Sequence, residues 1–107
     1  VPGAWELPQA ALEMDRRGVA EGNGACGGVD RGESGNFEKN VNESARGLGE
    51  VALATGVPVA NGVLACEDAA QALARAGGAA GNKGSEAAQA ALAMCALLRG
   101  LDRDDKA

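Results

Sequence analysis

Stretches with the 3.6-residue spacing of a helix alternate along this chain with short runs suited to strands, and glycine stands at most of the joins. That alternation limits the fold more than any other feature, because strands separated by helical crossovers pair in parallel. The spacing predicts a helix over Gln9 to Arg17, with Pro8 in its first turn and Gly18 as its stop. A second covers about Val41 to Thr55, with an apolar stripe through Val41, Ala45, Leu48, Val51 and Leu53, and ends at Gly56. A third opens at Glu67 and Asp68, whose charges suit the positive end of a helix, and runs to Ala76. The longest runs from about Ser85 to Leu101. Its apolar residues lie nearly all round, so it is expected to be buried between the sheet and a neighbour.

Two segments between these helices are read as strands. Val57 to Leu64 is apolar, with Pro58 tolerable near its start. Val19 to Asp30 is a strand by position more than by composition, since four glycines and Asn23 are poor strand formers. Arg31 to Phe37 and Gly77 to Gly84 are glycine-rich loops, and Asp102 to Asp105 is a solvated acidic tail. The order is that of an α/β protein with a parallel sheet. Two or three strands are few for such a sheet, and the chain opens on Val1-Pro2-Gly3. At least one further strand and its crossover helix are therefore expected on the N-terminal side.

A length of 107 residues supports one domain. Seventeen glycines, about twice the usual frequency, and only two aromatics, Trp5 and Phe37, leave a core of small side chains. Such a domain is marginal alone and is expected to gain stability from partner copies. The net charge of −5 argues against non-specific nucleic-acid binding, which needs a basic footprint. No run is long enough to span a membrane. Cys26, Cys66 and Cys95 are odd in number and far apart, which fits buried free thiols in a reducing compartment better than disulfides or a zinc site.

In an open parallel sheet, ligands bind beyond the carboxyl ends of the strands. Loops there are expected at Ala4 to Leu7, Arg31 to Phe37 and Asn61 to Glu67. Amides of Gly32-Glu33-Ser34-Gly35, ahead of a helix, can cradle a phosphate, although a plain tight turn looks the same in sequence. Arg75 near a helix end and Lys83, read as a loop residue between Asn82 and Gly84, are further anion candidates. Glu86 suits the first turn of the last helix on electrostatic grounds alone. Histidine is absent, which excludes hydrolase triads and leaves acid–base work to carboxylates, lysine, substrate phosphate or water. Scattered carboxylates exclude a metal site by spacing.

The blocks Val1-Pro2-Gly3-Ala4-Trp5-Glu6-Leu7-Pro8, Arg31-Gly32-Glu33-Ser34, Gly56-Val57-Pro58-Val59, Gly62-Val63-Leu64, Gln71 to Gly77 and Gly81-Asn82-Lys83-Gly84, in this order, resemble the lumazine synthase family. The resemblance covers nearly the whole chain and corresponds to the later two-thirds of the family domain, without its first strand and helix. It implies a flavodoxin-like three-layer α/β/α sandwich assembled into pentamers, often icosahedral capsids, in the cytoplasm. It implies condensation of a ribityl-pyrimidine with a butanone phosphate, with no metal or organic cofactor and at sites between adjacent subunits. By the same resemblance, Ala4, Trp5 and Glu6 hold the ribityl chain. Gly32, Glu33 and Ser34 bind the phosphate, helped by Arg75 of a neighbour, and Lys83 reaches the ribityl side. Asn36 stands at the family's histidine position, and Asn61 stands where an aromatic packs on the pyrimidine. Ser85 and Lys39 replace a usual tryptophan and tyrosine. These replacements also fit a different class, a non-catalytic assembly protein that binds flavin-like ligands.

Overall fold

The structure is a computed structural model that describes residues 1–31 and 36–106. A single 3-10 turn, Ala4–Glu6, feeds helix α1 (Leu7–Arg17). Pro8 sits in the first turn of α1, where a missing N–H removes no helical bond. Gly18 ends α1 in the left-handed region at φ 66°, with its N–H turned back to the carbonyls of Met14 and Asp15.

Strand β1 (Asn23–Asp30) pairs in parallel with β2 (Val59–Cys66), in unbroken register from Asn23 opposite Val59 to Asp30 opposite Cys66. Helix α2 (Asn36–Thr55) makes the crossover. After β2 come helix α3 (Ala69–Arg75), a small antiparallel hairpin of β3 (Ala76–Gly78) and β4 (Gly81–Asn82), and helix α4 (Lys83–Lys106).

Helices cover both faces of the parallel pair, as the α/β reading requires. On one face Ala25 of β1 meets Ala11 of α1 and Leu48 and Val51 of α2, with Leu7, Leu12 and Val59 packed around them. On the other, Gly62 lies so close to Cys26 and Ala87 that an added Cβ would meet Cys26 Sγ at 3.0 Å and Ala87 Cβ at 3.1 Å. The buried carboxylate of Asp15 joins three elements. It accepts from Asn23 Nδ2 at the start of β1 and from Thr55 Oγ1, 3.1 Å away, at the end of α2.

Several boundaries differ from the sequence reading. β1 starts at Asn23, not Val19, and β2 runs two residues beyond Leu64, because the pairing continues to Cys66. α2 begins at Asn36, five residues early. Asp68 is the cap of α3, accepting from the Gln71 N–H, so Glu67 and Asp68 stand outside the helix they introduce. The segment read as a loop at 77–84 holds most of the hairpin, and α4 takes in both Lys83 and the whole of the supposed acidic tail. Cys66 is buried as expected, whereas Cys26 is exposed on β1 and Cys95 is half-buried.

Within one chain the last helix, expected to be buried between the sheet and a neighbour, is covered on its sheet side alone. Leu92, Met94, Leu97 and Leu101 of α4 are all exposed, and Ala87 is the buried apolar residue of that helix. α4 runs along the strands, from Ala87 against Gly62 to Cys95 against Gly22, and its 24 residues, about 36 Å, outrun strands of 8 residues, about 27 Å.

Close packing of α1 on α2 depends on Gly47, where an added Cβ would lie 2.6 Å and 2.8 Å from the Pro8 ring. Gly49, two residues on, faces open space. Gly47→Ala is therefore expected to destabilise by about 1–3 kcal/mol, because overpacking a rigid ring outweighs the roughly 1 kcal/mol gained in helix propensity. Gly49→Ala keeps only the gain and is expected to stabilise by up to about 1 kcal/mol. Urea midpoints of the two variants should move in opposite directions; a rise for both would disprove the close approach.

Candidate ligand site at the strand ends

β1 and β2 end side by side, and the next residue of each carries charge. The Arg31 N–H donates to the Cys66 carbonyl at 3.0 Å, continuing the ladder one step past the strands. The Arg31 Nε donates to both Glu67 oxygens, at 3.0 and 2.9 Å. Its guanidinium lies 4.6 Å from the centroid of the Phe37 ring and 3.9 Å from the Glu38 carboxylate in the first turn of α2. Gly32, Glu33 and Ser34, expected to bind phosphate, lie outside the described residues, as does Gly35.

Asn36 is the first residue of α2 and is exposed. Its amide can donate and accept hydrogen bonds but cannot titrate near neutral pH. One turn on, Lys39 reaches back to the segment before α1, with Nζ 5.8 Å from the centroid of the Trp5 ring. Trp5 is 49% exposed. Ala4 and Glu6 complete the same 3-10 turn, and the Glu6 carboxylate folds toward Gly3, where a Cβ would lie 3.4 Å from Glu6 Oε2. The contact between Lys39 and Trp5 joins the 3-10 turn of Ala4, Trp5 and Glu6 to the first turn of α2, which Asn36 opens, and the two turns make a rim.

Arg75 and Lys83 meet elsewhere. With Glu86 they line a cleft of about 390 Å³ against Val63, Leu64 and Ala65 of β2. Arg75 ends α3, where a cation is favourable, and its Nη1 donates to the Gln71 carbonyl at 3.4 Å. Lys83, read as a loop residue, is the first residue of α4, where the helix dipole opposes a cation. Glu86, a turn later, offsets that cost from the same cleft. Two cations and one carboxylate on an open cleft suit a ligand carrying both an anion and hydroxyl groups.

Asn61 belongs to neither group. It lies inside β2 opposite Ala25, not in a loop past the strand end, and its Oδ1 accepts from the Val63 N–H at 2.9 Å. Arg31 and Glu67 were not singled out as site residues by the sequence; 36 positions separate them, and no local pattern links residues that only adjoining strand ends bring together. The exposed Glu43 carboxyl is held below its usual pKa by a hydrogen bond from Arg46, itself shifted upward. That pair, with Glu50, lies along α2 beyond the rim and supports the helix. Among the described residues no cluster of side chains can hold a metal ion, and no helix is long and apolar enough to cross a membrane.

A parallel pair of strands covered by helices, with charged side chains beyond the strand ends, places the chain among α/β proteins, whose ligands commonly bind at that end of the sheet. The pattern of the 6,7-dimethyl-8-ribityllumazine synthase family matches residues 1–99, and the chain belongs to that family. It is similar to the 6,7-dimethyl-8-ribityllumazine synthases of Xanthomonas campestris pv. campestris strains B100 and 8004. With each it shares 49% identity over 98 residues, covering 92% of this chain and 64% of the relative. The chain thus spans a little under two thirds of the length of these relatives.

Because a cation stands over the single tryptophan, iodide is expected to quench Trp5 fluorescence readily. Lys39→Met should lower the Stern–Volmer slope by removing the local attraction for the anion. An unchanged slope would show that the ammonium does not occupy that position in solution.

Proposed function

We propose that this chain acts as a lumazine synthase. It condenses 5-amino-6-ribitylamino-uracil with 3,4-dihydroxy-2-butanone 4-phosphate to 6,7-dimethyl-8-ribityllumazine, a transferase step of riboflavin biosynthesis. The observation that carries this reading is the separation of two half-sites. The rim of Ala4, Trp5, Glu6 and Asn36 and the cleft of Arg75, Lys83 and Glu86 share no lining residue. Each becomes complete when the rim of one copy adjoins the cleft of the next.

In this arrangement Ala4, Trp5 and Glu6 hold the ribityl chain. Gly32, Glu33 and Ser34 offer amides to the phosphate, and Arg75 of the neighbouring copy adds a guanidinium. Lys83, with Glu86 beside it, meets ribityl hydroxyls, and Asn61 stands on the pyrimidine side. An imine forms between the amine and the ketone with loss of water. Phosphate then leaves, its charge met by amides and Arg75, and ring closure with a second loss of water gives the product. Much of the rate comes from holding two reactants together, and no metal or organic cofactor takes part.

The assembly is a homo-oligomer, a pentamer or a larger shell of pentamers, in the cytoplasm, without nucleic acid or membrane as partner. The exposed apolar residues Met94, Leu97 and Leu101, on one face of α4, support it, since monomers rarely leave such a face in water. Residues 1–107 act as one domain equivalent to the later two-thirds of the family domain. Asn36 and Asn61 favour a second reading, an assembly protein with impaired catalysis that binds flavin-like ligands.

Turnover of the two substrates, followed by lumazine absorbance and fluorescence, separates the readings. Product above the spontaneous rate supports the enzyme, and pentamers without product support the assembly protein. Arg75→Ala is expected to raise the KM for the butanone phosphate about tenfold or more and to leave that for the pyrimidine nearly unchanged. Equal losses would sink the phosphate role. Asn36→His restores a titratable group and is expected to raise kcat about tenfold or more; no gain in a normally assembled variant would remove Asn36 from the reaction.

A further inference from the structure

Arg75 sits at the end of a helix that has almost nothing apolar to hold it. α3 buries no residue, and Leu73 is 73% exposed. What holds its start is polar. The Asp68 carboxylate accepts from the Gln71 N–H at 2.9 Å, and Gln71 Oε1 accepts from the Glu67 N–H at 2.9 Å, a reciprocal cap. The Glu67 carboxylate is gripped by Arg31 Nε through both oxygens. Arg31 is itself fixed by its N–H on the Cys66 carbonyl and by the face of Phe37. One turn after Gln71, the Arg75 guanidinium donates to the Gln71 carbonyl at 3.4 Å and enters the cleft.

We infer that Arg31 and Glu67 are positioning residues for Arg75: their ion bridge ties the first turn of α3 to the end of β1 and so sets where the Arg75 guanidinium meets a phosphate. This rests on the phosphate role proposed above for Arg75. The bridge spans 2.9 Å with both side chains about half exposed, so it is a modest restraint. A short helix without buried side chains has little else to oppose displacement.

The sign of the effect distinguishes positioning from plain electrostatics. Glu67→Gln removes a negative charge from the strand ends, which by Coulomb attraction alone tightens binding of an anion. Loss of positioning weakens it. The experiment is a 31P NMR titration of the assembled full chain with inorganic phosphate, for the wild type, Glu67→Gln, Arg31→Met, Arg75→Ala and the Glu67→Gln/Arg75→Ala double variant, with thermal unfolding of each.

Glu67→Gln and Arg31→Met are each expected to raise the phosphate Kd about two- to fivefold, and Arg75→Ala about tenfold. Glu67→Gln should add nothing once Arg75 is gone, which a general loss of folding would not produce. An equal loss from Glu67→Gln in both backgrounds, or no loss while Arg75→Ala weakens binding, overturns the inference and leaves the phosphate role standing. Unchanged affinity in Arg75→Ala overturns the phosphate role, and the inference with it.

Discussion

Asp15 is the point from which the arrangement of the first half of the molecule follows. Its carboxylate is buried and faces three chain segments at once: its own helix near the stop at Gly18, Asn23 where β1 begins, and Thr55 where α2 ends. The Thr55 hydroxyl also reaches the Val51 carbonyl at 2.8 Å and accepts from the Val57 N–H at 3.2 Å. A buried carboxylate without donors is costly, so these partners must stay together. The entry to β1 and the exit from α2 are thereby held on one side, and the two parallel strands start in register.

From that anchored end, small residues let the layers approach. Ala11 and Ala25 offer little area each, and Leu48, at 2% exposure, is the largest side chain fully enclosed. Contacts of the kind seen at Gly47 against Pro8 and Gly62 against Cys26 and Ala87 replace the bulk that a larger core supplies. The consequence is a thin core and exposed apolar residues on α4, among them Met94, Leu97 and Leu101 on one face. A protein built this way depends on further surface to bury, which is also what an interface between copies supplies.

The opposite, carboxyl end of the sheet is held by charge instead of packing. Arg31 and Glu67 close it, Phe37 and Glu38 bring the start of α2 to the same place, and the cap at Asp68 orients α3. One end of the strands is thus tied through a buried carboxylate, while the other is tied through exposed charges. Exposed charges at the carboxyl ends of parallel strands are the groups that α/β folds commonly turn toward ligands.

The sequence by itself determined the α/β class, the order of the four α-helices and two parallel strands, and the family, but not the hairpin of β3 and β4. Periodicity, glycine stops and ordered blocks such as Arg31-Gly32-Glu33-Ser34 and Gly81-Asn82-Lys83-Gly84 are local signals that need no three-dimensional context. It also located Arg75 at a helix end and Trp5 just before a helix. The order of elements placed a strand within 19–30, and tertiary structure set its start at Asn23, because pairing with Val59–Cys66 supplies the hydrogen bonds its composition does not favour. Tertiary structure also decided that Asn61 lies within a strand, that Arg75 and Lys83 share a cleft apart from Trp5 and Asn36, and that Arg31 meets Glu67. Those outcomes depend on which strand ends lie side by side, and adjacency between residues far apart in the chain exists only once the chain has folded.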